Sequence, residues 1–172
     1  MTVILGIDPG SNVTGYGIIR QNANQLSYIS SGCIRIKEKV LSQRLQNIYQ
    51  NISIVVQKYS PDEVGIEDVF VHHNPRGSIQ LGQARGVAIV AASQDDIPVY
   101  EYSPRSIKKA VVGYGAADKD QVQNMVKRLL CIHEPLASDA SDALAVALCH
   151  AFHRKTIRLF SQDKKQNEGT VS

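Results

Sequence analysis

The sequence is short of every feature that would force an extracellular, membrane or thiolate-metal reading. It has only three cysteines, Cys33, Cys131 and Cys149. The number is odd and no two form a C-x-x-C pair, so neither a disulfide framework nor a thiolate zinc site is indicated. No apolar run approaches the roughly 20 residues that cross a bilayer. The opening, Met1 to Gly6, lacks a positively charged segment and a small-residue cleavage site, and reads as a first strand rather than a leader. There is no internal repeat and no low-complexity block. These absences suit a reducing, cytoplasmic setting, and 172 residues suit one domain with its own core. A large charge of one sign is missing too: the formal net charge is +3 and the pI about 8.8. Position matters more than the total. Between Ser103 and Arg128 lie Arg105, Lys108, Lys109, Lys119, Lys127 and Arg128, against only Asp118 and Asp120. A local basic surface can attract phosphate on a nearly balanced chain, although charge alone equally describes a solvated helix face.

What is present is an ordered alternation of strand and helix signals. Val3 to Asp8 is an apolar run ending in the turn signal Pro9-Gly10-Ser11. Strands over Thr14–Arg20 and Leu26–Ile36 follow, joined by short polar turns, which predicts an antiparallel meander. Leu41, Leu45, Ile48, Ile52 and Val56 then recur on one helical face, with Pro61 just beyond as a stop. Val64-Gly65-Ile66 reads as a short buried strand carrying Glu67 at its carboxyl end. His72 to Arg76 read as a loop. A small-residue helix is expected over Ser78–Ser93, with Gly82 and Gly86 one turn apart for close packing of another backbone. Val99–Tyr102 is a fifth strand. Ser103 then resembles an N-cap, with Pro104 at the first helical position. A helix follows through Val122, Met125, Val126, Leu129 and Leu130, and a last one from near Asp139 to about His153. Residues 1–155 form the expected domain and 156–172 a polar, flexible tail. The fold class is α/β: a mixed five-stranded sheet, three antiparallel strands and then parallel ones, flanked by helices.

Four carboxylates stand out by position. Asp8 and Glu67 end strands one and four. If those strands are neighbours, the two side chains converge at the carboxyl edge of the sheet, the usual place for a site. Asp139 and Asp142, three apart at the start of the last helix, share one face and can reach the same cleft. Singly, each has a structural explanation: a turn, a strand end, an N-cap, a first-turn acid. Together they repel and resist ionisation unless cations lie between them. Magnesium prefers such oxygen donors, and two ions roughly 3.5–4 Å apart can clamp an in-line phosphoryl displacement.

At these residues the chain resembles the RuvC family of Holliday-junction resolvases. Gly6-Ile7-Asp8-Pro9-Gly10-Ser11 with Thr14-Gly15-Tyr16-Gly17 is similar to the family's opening motif. Ile66-Glu67-Asp68-Val69-Phe70, Leu81-Gly82-Gln83-Ala84-Arg85-Gly86-Val87 and Ala137-Ser138-Asp139-Ala140-Ser141-Asp142-Ala143-Leu144 are similar to the next three, in order, over about Thr2 to His153. The resemblance implies an RNase H-like fold and a homodimer that nicks two opposed strands of a four-way DNA junction. It implies two magnesium ions per site, with manganese as a substitute, and 5′-phosphate and 3′-hydroxyl ends. It further implies catalytic and metal-binding roles for Asp8, Glu67, Asp139 and Asp142, with RuvA and RuvB as branch-migration partners. Lys108 and Lys119 fall where DNA-contacting lysines lie, and Phe70 where a ring stacks on a base, worth roughly 1–3 kcal/mol. Arg76 is a further expected DNA contact. His72 and His73 read as solvated loop residues, and His150 and His153 as packing or solvent-facing rather than a metal pair. The Ser78–Ser93 helix is the expected dimer seam, a two-fold assembly suiting two symmetric cuts.

Three other readings meet the same residues. An ATP-binding protein of the actin and sugar-kinase type has a similar first loop but needs a second domain to enclose nucleotide. A non-catalytic junction-binding module needs basic and aromatic contacts but not four carboxylates. Another RNase H-like nuclease, acting on RNA–DNA hybrids, shares the carboxylates and differs in substrate.

Overall fold

The computed structural model describes residues 1–68 and 75–168, with side chains to residue 154. Five strands form one sheet: β1 (Thr2–Asp8), β2 (Val13–Asn22), β3 (Gln25–Arg35), β4 (Glu63–Glu67) and β5 (Val99–Tyr102), in the order β3-β2-β1-β4-β5. β1 pairs antiparallel with β2, and β2 with β3; β1 pairs parallel with β4, and β4 with β5. The mixed sheet expected from the sequence is therefore present, with strands one and four side by side.

β1 is central and nearly all buried, because helices cover both faces of the sheet. On one face lie α1 (Leu41–Tyr59) and α2 (Pro75–Ala92). Leu5, Ile7, Ile18, Val64 and Ile66 point to them, packing on Ile48, Ile52 and the alanines of α2. On the other lie α3 (Pro104–Val112), α4 (Lys119–Leu129) and α5 (Ser138–Glu168), packed on Ile4, Ile19 and Tyr102. Strand side chains alternate between faces, so Asp8, Glu63 and Glu67 all belong to the α5 side.

Local signals set the helix ends. Ser103 Oγ accepts from the Ser106 N–H at 3.2 Å, with Pro104 opening α3. Asp118 and Gln121 close a capping box on α4. α2 starts at Pro75, so Arg76 sits in its first turn and not in a loop as expected; the fixed φ of Pro75 suits a first helical position. α5 runs on to Glu168, well past the His153 end expected, since no glycine or proline interrupts the chain before Gly169.

α5 lies close against the sheet because glycines stand beneath its first turns where side chains would otherwise hold it off. Gly17, Gly6 and Gly65 are register partners and form a row across β2, β1 and β4. A Cβ at Gly6 would stand 2.1 Å from the Ala143 carbonyl oxygen, and one at Gly15 would stand 2.0 Å from that of Asp139. Close backbone approach therefore occurs here rather than at Gly82 and Gly86. A Cβ on either of those would meet nothing within 4 Å, correcting that expectation within a single chain.

Candidate active site

Asp8 and Glu67 end the two parallel strands β1 and β4, on the face that α5 covers. Their carboxyl groups are close enough to share a proton, an interaction that raises Asp8 and lowers Glu67. Burial first, and then the charges of Glu67 and Asp142, push the Asp8 carboxyl from 3.8 to about 8. Burial and Asp142 also raise Glu67, opposed by its hydrogen bond from Asp8 and by the positive charges of Lys108 and Lys119. Two carboxylates this close do not ionise together in a partly dry cleft without a cation.

The cleft has a volume of about 230 Å³. Asp8, Glu67 and Asp142 supply its acidic wall, Lys108 and Lys119 its basic one, and Ile107, Val122 and Ala145 its apolar floor. Lys119 Nζ lies 2.8 Å from Asp142 Oδ2, and this bond raises the lysine's pKa further. Because α5 rests on the glycine row, its first turns stand directly over the strand ends. The fold thus brings Asp8, Glu67, Asp142, Lys108 and Lys119 into one pocket.

Asp139 differs from the expected shared face. It does not line the cleft, and acts on Asp8 and Lys119 only through its charge. Three residues on a helix leave side chains about 60° apart, and the two acids diverge accordingly. The backbone carbonyl of Asp139 faces Gly15 of β2, and its charge reaches not only Asp8 and Lys119 but also Cys33, which it raises after burial as the main cause. Asp142 looks toward α4.

The donors are all carboxylate oxygens, which fits a hard divalent cation and not zinc. Among the described residues, no three acidic, histidine or cysteine side chains already enclose a metal position. This agrees with the Lys119 ammonium holding Asp142 and with a proton holding the Asp8–Glu67 pair. A site with one or two carboxylates per ion, completed by water and substrate phosphate, is the usual form for magnesium.

Of the other expected site residues, Lys108 is half-buried on α3 within the cleft, whereas Arg76 is exposed in another groove. Phe70, with His72 and His73, lies outside the described residues. His150 is fully buried, as expected of a packing histidine, and stacks on Tyr100 at 4.7 Å between ring centroids. His153 is exposed. The sequence reading missed what His150 belongs to. Its Nε2 meets Glu63 Oε2 at 2.6 Å and its Nδ1 meets the Tyr102 hydroxyl at 2.7 Å. Arg154 completes the group, donating to both Glu63 oxygens at 2.5 and 2.9 Å, to Thr2 at 2.9 Å and to Gln21 at 2.6 Å. The available signal was the strand period, which puts Glu63 on the same covered face as Glu67.

The chain is similar to known proteins over most of its length. Residues 4–150 match the family described as crossover junction endodeoxyribonuclease RuvC. The chain is 48% identical to the protein of that name from Marinobacter nauticus, covering 99% of this chain and 98% of the relative. It is 54% identical to that from Tolumonas auensis over 91% of each. Among solved structures it superposes on Thermus thermophilus RuvC in complex with a Holliday junction substrate with a TM-score of 0.83. That match has 31% identity and covers 91% of this chain and 96% of the other. A yeast mitochondrial Holliday junction resolvase shares the fold at 14% identity, with a TM-score of 0.67, covering 95% of this chain and 85% of the other. This chain belongs to the RuvC family of crossover junction endodeoxyribonucleases.

Proposed function

We propose that the protein is a metal-dependent endonuclease that resolves four-way DNA junctions by paired, symmetric nicks. The observation that carries this reading is the Asp8–Glu67 pair, held at adjoining strand ends too close to ionise together without a cation. Asp8, Glu67, Asp139 and Asp142 are the acids that would hold the metal, with Asp139 at the margin of the cleft. Two magnesium ions, or manganese, held by these carboxylates would supply a more acidic water and a polarised scissile phosphate, which suits cleavage to 5′-phosphate and 3′-hydroxyl ends. Lys119 and Lys108 hold flanking phosphates, which supplies affinity without reading sequence. Lys119, now paired with Asp142 at 2.8 Å, would be the ammonium available to phosphate, and Asp142 a carboxylate available to metal, were that contact exchanged. Phe70 stacks on a base at the crossover.

Paired nicks need two sites. α2 leaves Ile79 and Val90 exposed at 62% and 61%, with Gly82 and Gly86 open between them. This unpartnered stripe is where a second copy of the chain is placed, making a two-fold dimer. RuvA and RuvB remain the partners implied by family.

The test compares a four-way junction, linear duplex and RNA–DNA hybrid with magnesium present. Paired nicking confined to the junction is the expected result, and calcium supports binding but little cutting. Equal cutting of the hybrid, or junction binding with no cutting in magnesium or manganese, overturns the reading.

A further inference from the structure

We propose that a second groove, between the starts of α1 and α2, is a phosphate track that carries the DNA backbone away from the cut. The inference rests on the junction-nuclease reading above.

The groove has a volume of about 580 Å³ and is lined by Asn12, Lys39, Arg44, Arg76, Gln80 and Gln83, with two apolar side chains and no acid. Its three cations differ from Arg85 and Arg154, the two arginines with ion pairs among the described residues. Arg85 is ion-paired with Glu101 and Asp68, and Arg154 with Glu63. Arg44 is instead held by neutral oxygens: it donates to the carbonyls of Glu38 (3.1 Å) and Ser11 and to Asn12 Oδ1 (3.2 Å). Glu38, the nearest acid in sequence, turns its Oε1 to Asn47 at 2.8 Å and makes no ion pair with Arg44. The guanidinium is therefore fixed in place by neutral oxygens, with Glu38 near enough to feel its charge but not paired with it, and two of its five N–H groups are left to donate. Lys39 and Arg76 are exposed, and neither forms an ion pair among the described residues. Gln80 and Gln83 add neutral donors. Fixed charge, spare donors and no acid make a site for an extended phosphodiester chain rather than for a cation or an apolar peptide.

Position supports this. Asn12 is four residues beyond Asp8, so the groove wall lies within about 14 Å of the acidic pair along the chain. A DNA strand advances roughly 3.4 Å per nucleotide, which places the groove within about four nucleotides of the cut. Lys108 and Lys119 lie on the α5 side of the sheet edge, and this groove lies on the α1–α2 side. The carboxylates thus stand between two positive walls, and a backbone can run from one to the other across the cut.

Binding of a four-way junction to the Asp8→Asn protein, measured by anisotropy against salt, tests the groove. Each lost phosphate contact lowers the steepness of log K against log salt by about 0.9. The Lys39→Ala/Arg76→Ala double variant, altered only at exposed side chains, is expected to lower it by about 1.8 per protomer, so by about 3.6 for a dimer on one junction. Lys58→Ala, a cation against Tyr59 away from the groove, serves as the control and leaves it unchanged. A junction with uncharged methylphosphonate linkages within four nucleotides of the cut should give the parent the reduced slope and remove its difference from the double variant. An unchanged slope in the double variant, or a difference that persists on the neutral-linkage junction, overturns the groove. Failure of the wild-type protein to nick junctions in magnesium would instead sink the underlying function, so the two failures are distinct.

Discussion

Glu63 and Glu67 open and close the same strand, face the same helix, and lie in opposite electrostatic worlds. Burial raises the pKa of both. At Glu63 that effect is outweighed by hydrogen bonds from His150 and Arg154 and by the arginine's charge, and the carboxyl falls to about 2. At Glu67 the neighbours are a buried aspartic acid and Asp142, and the carboxyl stays raised. The basal end of α5 is thus a closed account of donors, acceptors and charges. The other end is left short of positive charge. The helix bridges both: about 18 Å separate Asp142 from Arg154 along its axis, at 1.5 Å per residue. The contrast separates a carboxylate that holds the fold together from one that works, though the two share residue type, strand and face. Excess like charge at one end is tolerated because a saturated network clamps the other.

The largest expected effect comes from breaking the working end. Asp8→Asn or Glu67→Gln should cut junction nicking by roughly 10²–10⁴-fold, the range for losing a positioned catalytic group. Urea unfolding of the metal-free variants should show no loss of stability, because a repulsion has been removed. Normal turnover by either variant removes that residue from the site. Breaking the basal end should do the reverse. Arg154→Ala leaves Glu63 buried without its main cation and should cost about 3–5 kcal/mol in urea unfolding, while Arg154→Met with Glu63→Gln should cost less. Equal costs would mean that packing, not charge, is what Arg154 supplies.

pH separates the two ends. Asp8 has its folded pKa raised from 3.8 to about 8. The folded state therefore holds a proton that the unfolded chain has released, and metal-free stability should fall as pH rises from about 4 to 8, by up to about 1.4 kcal/mol per unit. Asp8→Asn should flatten this slope, and an unchanged slope would mean the acids are not mutually strained. Glu63 has its pKa lowered from 4.5 to about 2. Its contribution is present above pH 4.5 and is lost as pH falls toward 2. Magnesium should flatten the neutral-range slope and leave the acid limb alone. The smallest effect is expected at Lys119, whose side chain is 61% exposed. Lys119→Ala should change stability by less than about 1 kcal/mol, yet lower the salt slope of junction binding by about 0.9 per protomer. A larger stability loss with no change in slope would make Lys119 a structural partner of Asp142.

Much of this was legible before any coordinates. The strand and helix order followed from apolar period and from turn residues such as Pro9-Gly10 and Ser103-Pro104, which act over a few residues. The pairing of Asp8 with Glu67 followed once β1 and β4 were taken as neighbours. The divergence of Asp139 from Asp142 did not, because i and i+3 describe a helix face only to about 60° and the burial of that face decides which acid enters the cleft. Nor did the Glu63–His150–Arg154 network, whose members lie up to 91 residues apart. The early start of α2 and the long run of α5 were missed at their ends, where propensity is weakest.

The amino-acid sequence by itself determined which residue types were available, the α/β order, and the acids that could meet a metal, since these depend on local period and on motifs carried within short stretches. Only the tertiary structure decided that a row of glycines lets α5 press onto the sheet, that Asp142 lines the cleft while Asp139 stands at its margin, and that Arg85 and Arg154 are ion-paired while Arg44 is held by neutral oxygens. Those outcomes depend on contacts between segments distant in the chain, where burial and neighbouring charge, not residue identity, set what a side chain can do.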